Sequence, residues 1–78
     1  MPHVIVKLYA GRSEMEKAAL ADEITRVVMK TLGHGADSVS VDIEDIAPQD
    51  WVEQVYKPDI AGKPATLFKK PGYKPADL

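Results

Sequence analysis

Ser13-Glu-Met-Glu-Lys-Ala-Ala-Leu-Ala-Asp-Glu-Ile-Thr-Arg-Val-Val-Met-Lys-Thr-Leu32 is the stretch on which the fold turns, because it reads as one amphipathic helix between two alternating segments. Ser13 and Glu16 have the spacing of a capping box, in which each side chain satisfies the other's orphan backbone donor. Leu20, Ile24, Val27, Val28 and Leu32 follow at i, i+4, i+7, i+8 and i+12, a single apolar stripe at the helical period. Asp22, Arg26 and Lys30 mark the opposite, solvated side. Gly33 is suited to end the helix in a left-handed conformation. The spacing predicts a helix over 14–32.

Upstream, His3-Val-Ile-Val-Lys-Leu8 alternates with a period of two and is rich in β-branched residues, so it reads as a strand. Val4, Val6 and Leu8 share one face; His3, Ile5 and Lys7 share the other. Downstream, Val39, Val41 and Ile43 alternate with Ser38, Ser40 and Asp42, which predicts a second strand over 38–43. Strand, long helix, strand is a βαβ unit, with a right-handed crossover and parallel strands. Pro48 then suits the first turn of a short helix whose apolar side is Trp51, Val52 and Val55. Beyond Tyr56, the residues Pro58, Gly62 and Pro64 are expected to stop any long element. Ala65 to Lys69 is expected to form a brief strand, and the tail from Pro71 to be irregular. The whole reads as one α/β domain over 1–78, with a βαβ core and short helix in 1–55 and an extension in 56–78.

The chain has 78 residues, no cysteine, two histidines and a net charge of −2. Disulfides and thiolate metal sites are excluded, and His3 and His34 lack zinc-motif spacing. Interspersed charges without a basic face argue against a nucleic-acid partner. No apolar run approaches the ~20 residues of a membrane span, and no signal-peptide core is present, so a cytoplasmic location is expected. Two strands and one helix leave a sheet face uncovered, and a core this small calls for a staple. Self-association is the staple that remains: a homodimer or a higher symmetric assembly, with its active surface drawn from more than one subunit.

Pro2 directly after the initiator methionine, a leading strand, Gly11-Arg12-Ser13, a capped helix with Glu16-Lys17, and Asp37-Ser38-Val39-Ser40-Val41 together resemble the 4-oxalocrotonate tautomerase family. Phe68-Lys69-Lys70-Pro71-Gly72-Tyr73 is similar to a subgroup of slightly longer, dimeric bacterial members. The resemblance implies an isomerase that moves a proton between carbon and oxygen of a conjugated carbonyl compound, using the N-terminal proline amine as general base. It implies no metal and no organic cofactor.

Removal of Met1 by methionine aminopeptidase would convert the Pro2 nitrogen from a non-basic amide into a secondary amine. Burial beside Val39 and Val41, and a cation such as Arg12, would favour its uncharged form. Arg12 matches the family's carboxylate-gripping arginine, for which a planar guanidinium fork is apt. Trp51 falls where the family carries an aromatic pocket wall. Ser40 departs from the pattern, since the best-known members have an arginine there. A neutral donor at this position disfavours a dicarboxylate such as 4-oxalocrotonate and favours a monocarboxylate enol with an apolar group. Glu53 is a candidate to activate water in the superfamily's hydrolytic dehalogenations. His3 reads as an interface residue, Tyr9 as a candidate pocket residue, and Lys69 and Lys70 as surface charge. The competing class is a non-catalytic binding module that keeps the fold, as Ser40 hints. Weak basic content argues against a ferredoxin-like RNA-binding module.

Overall fold

The computed structural model describes residues 1–78. The chain divides into two compact units, Met1–Asp45 and Ile46–Leu78. The first unit holds strand β1 (His3–Tyr9), helix α1 (Glu14–Leu32) and most of strand β2 (Ser40–Ile46). β1 and β2 form a two-stranded parallel sheet joined through α1, the expected βαβ unit. The Ser40 N–H donates to the Pro2 carbonyl oxygen at 3.2 Å, so the strands start side by side.

The capping residues set both ends of α1. Ser13 Oγ accepts from the Glu16 N–H and a Glu16 carboxylate oxygen accepts from the Ser13 N–H, each at 3.0 Å. Gly33 closes the helix at φ +74°, in the left-handed region that a side chain disfavours, and its N–H reaches the Met29 carbonyl at 3.0 Å.

The half-buried side of α1 is Lys17, Ala21, Ile24, Thr25, Val28 and Met29. The expected stripe is therefore rotated. Ile24 and Val28 belong to it, whereas Leu20, Val27 and Leu32 stay exposed. A lysine takes the inward place near the start of the helix because its charge is satisfied there: Lys17 Nζ lies 3.1 Å from Glu14 and 3.0 Å from Asp45. These two carboxylates, bonded to the ammonium, raise the Lys17 pKa above its ordinary value.

In β1 the expected inner face is kept, with Lys7 also half-buried; in β2 the alternation is lost, since Val41, Asp42, Ile43 and Glu44 are all half-buried. Val4, Val6 and Leu8 are half-buried, while His3, Ile5 and Tyr9 are exposed. No residue of the first unit is fully buried. β2 begins at Ser40 rather than Ser38, because Ala36–Ser38 winds into a 3₁₀ turn. There the Ser38 N–H and hydroxyl both bond the Gly35 carbonyl, at 3.1 and 2.9 Å. The strand then continues three residues beyond the expected Ile43, to Ile46.

In the second unit Pro48–Asp50 forms a 3₁₀ turn, with Pro48 at its first position as expected. Helix α2 (Val52–Ala61) follows, and it is a π-helix that runs through Pro58 instead of stopping there. In α geometry the Pro58 ring would collide with the carbonyl four residues back; the wider π turn relieves that crowding. Gly62 ends the helix where a Cβ would stand 2.8 Å from the carbonyl oxygens of both Lys57 and Pro58, a closeness only glycine permits. The buried apolar side chains are Ile46 and Val55, at 9% and 5% exposure. No strand forms over 65–69, where the chain turns and bends and Phe68 is 98% exposed.

Candidate active site

Pro2 is half-buried at the head of β1, and its carbonyl is fixed by the Ser40 N–H. In the full chain its nitrogen is the amide of the Met1–Pro2 bond. Met1 is 94% exposed, so the residue that blocks this nitrogen is open to a peptidase.

Ser40 stands beside the same strand end. Its hydroxyl Oγ lies 2.6 Å from His3 Nδ1, a short bond whose direction depends on the imidazole tautomer. Parallel register explains the meeting. His3 and Ser40 occupy matching places on the outward face of adjacent strands, where cross-strand side chains touch. Sequence reasoning read His3 as an interface residue and missed this partnership; the register of the two predicted strands was the signal that pointed to it.

Arg12 lies past the other end of β1. Seven residues of extended strand span about 23 Å at ~3.3 Å per residue. Within one chain, then, Arg12 lies at the far end of β1 from Pro2. Its Nη1 is 3.4 Å from Glu16 Oε2, with both side chains mostly exposed. An exposed pair of this kind is weakened by solvent screening, so a ligand carboxylate can displace it. Leu8, Arg12, Glu16, Lys17 and Leu20 line a small cavity of about 160 Å³ there.

Trp51 belongs to the second unit and is half-buried. Its indole N–H donates to Tyr73 Oη at 2.8 Å, and the Tyr73 ring packs at 5.8 Å from that of Tyr56, tilted by 49°. Tyr73 was not singled out from the sequence, since no periodicity marks a residue in an irregular tail. Glu53 pairs with Lys57 at 2.5 Å along the helix, so nothing directs it at water. No three His, Cys, Asp or Glu side chains converge in a way that would hold a metal ion. No helix is long and apolar enough to cross a membrane.

The β-α-β arrangement with a proline opening the first strand defines a class, and comparison with known proteins gives the same one. Residues 2–56 match the model of the tautomerase enzyme family, the match beginning on Pro2. The chain belongs to the tautomerase family. It is 48% identical over 73 residues to a probable tautomerase of Xylella fastidiosa, covering 94% of this chain and 89% of that protein. It is 40% identical over 75 residues to tautomerase PptA of Cronobacter sakazakii, covering 95% and 99%. Among solved structures it resembles TomN, a 4-oxalocrotonate tautomerase homologue of the tomaymycin biosynthetic pathway. That match has a TM-score of 0.63 and 38% identity, over 64% of this chain and 77% of that one.

Proposed function

We propose that the protein is a cofactor-independent keto–enol tautomerase acting on a small enol or 2-oxo monocarboxylate, with Pro2 as general base once Met1 has been removed. The observation that carries this reading is the backbone bond from Ser40 to Pro2. It fixes the first strand by its opening residue, so the nitrogen of a trimmed chain would sit at an anchored position rather than on a frayed end. In ketonisation the Pro2 lone pair takes the enol hydroxyl proton, the carbonyl forms as the C=C electrons move, and the Pro2 ammonium returns the proton to carbon. Nothing is gained or lost overall.

Arg12 is assigned to the substrate carboxylate, and its place at the far end of β1 from Pro2 supports its coming from a second copy of the chain. Ser40 serves as a neutral donor in place of a fixed cation, which suits one carboxylate rather than two. Trp51 is assigned as the apolar wall, held by Tyr73. A homodimer fits the absence of any fully buried residue in the first unit, the 54% exposure of Ile5 and the further exposure of Leu20, Val27 and Leu32. The reading treats 1–78 as one tautomerase-like domain in the cytoplasm.

Mass spectrometry of the purified chain first establishes that it begins at Pro2. Ketonisation of phenylenolpyruvate is then followed by absorbance. Pro2→Ala should lower the rate by ~10²-fold or more, the scale of general acid–base catalysis. Equal rates for the two proteins would remove Pro2 as the base.

A further inference from the structure

The second unit contains a cavity of about 350 Å³ that the proposed chemistry does not use, lined by residues between Tyr56 and Lys74. Its size falls within the range of small-molecule sites, and its make-up has their character: an apolar body with few polar groups. Ile60, Pro64 and Leu67 supply aliphatic surface, and Tyr56 and Tyr73 supply two ring faces tilted to one another. Tyr73 is not a loose side chain, because its hydroxyl accepts the Trp51 indole N–H at 2.8 Å. The charged residues of the lining are Lys70 and Lys74; no carboxylate lines the cavity. Asp77, three residues after Lys74, accepts from the Lys74 backbone N–H at 2.8 Å, and Asp59, beside Ile60, pairs with Lys63 at 3.3 Å.

We propose that this cavity binds an aryl-substituted carboxylate, its ring packed against the Tyr56–Tyr73 pair and its charge on Lys70 and Lys74. A tilted aromatic pair favours an aromatic guest in edge-to-face contact. Two cations without an acid select an anion over a neutral or cationic molecule of the same shape. Tyr73 joins the cavity to the proposed wall residue Trp51, but none of Pro2, Arg12 and Ser40 lines it.

The test uses the full chain in its native assembly, with phenylacetate and its neutral counterpart phenylacetamide as probes. Backbone amide shifts are followed by NMR, and the fluorescence of Trp51, the sole tryptophan, is recorded in parallel. Phenylacetate is expected to shift amides within 56–74 saturably and to change the indole emission. The double variant Lys70→Gln/Lys74→Gln should raise its Kd about tenfold, the equivalent of two exposed ammonium–carboxylate contacts. Phenylacetamide should bind the original protein about tenfold more weakly than phenylacetate and be indifferent to the double variant. Amide shifts within 56–74 and those near Pro2 are fitted separately, and the double variant should weaken only the former, which separates this site from the proposed catalytic one. Shifts confined to residues near Pro2 and Arg12, an unchanged Kd in the double variant, or no shifts because a second copy fills the cavity would each overturn the proposal.

Discussion

His3 Nδ1 and Ser40 Oγ stand 2.6 Å apart, joining the two strands at the end where Pro2 is anchored. If the hydroxyl donates to the ring it is spent; if the ring donates, the hydroxyl hydrogen is free for a substrate oxygen. His3→Ala therefore releases Ser40 as a donor, and Ser40→Arg puts a fixed cation in its place. A hydrogen bond to a charged group contributes ~1.5–3 kcal/mol, or roughly 10- to 150-fold. Ser40→Arg is expected to raise kcat/KM for the dicarboxylate 4-oxalocrotonate by at least tenfold, with a smaller change for phenylenolpyruvate. Steady-state kinetics on both substrates measures that ratio.

The capping box makes α1 sensitive to acid. The Ser13 N–H, aided by the Arg12 cation, holds the Glu16 carboxyl below its ordinary value of 4.5. A carboxyl lowered by folding contributes stability that is present above its unfolded value and lost as pH falls through its folded one. The urea midpoint should thus decline below about pH 4.5, and Glu16→Gln should flatten that part of the profile. Ser13→Ala removes the other half of the box and should cost ~1 kcal/mol at neutral pH.

The helix and both strands were legible because their signals are local: caps, periods of 3.6 and 2, and β-branched runs. The rotated inner side of α1 was not, since Lys17 is drawn inward by Asp45, a residue far along the chain. The passage of α2 through Pro58 was equally hidden, because a proline signals a stop only if the helix is assumed to be α. Of the candidate site, Pro2, Arg12, Ser40 and Trp51 were named on the family resemblance, and the structure joins Pro2 and Ser40 among them. What they touch could not be read that way: His3 and Tyr73 matter through register and tertiary contact, which composition does not carry.

Gly62 tests the π-helix. An added methyl would meet two backbone oxygens at 2.8 Å, and backbone cannot swing aside as a side chain can. Gly62→Ala is expected to cost ~1–3 kcal/mol by overpacking, lowering the urea midpoint with an unchanged m-value. The matching change at Gly35, with open space around it, should be close to neutral.

Ile5 reports on assembly. It is 54% exposed on the outward face of β1, the face the proposed dimer would cover. Ile5→Lys should shift the sedimentation coefficient from that of a dimer toward a monomer, and the ketonisation rate per chain should fall with it. A predominant hexamer in the unmodified protein would refute the dimer.

The seven-residue strand between Pro2 and Arg12 has a genetic reading. If Arg12 serves the partner's Pro2 as proposed, chains with Pro2→Ala and with Arg12→Ala should each be nearly inactive alone, and a dimer of one with the other should regain an intact proline and arginine in one of its two sites. Co-expression of the two alleles is therefore expected to restore part of the ketonisation rate. Placed in a single gene, the same two changes would act as a dominant poison, silencing both sites of every dimer formed with a healthy partner.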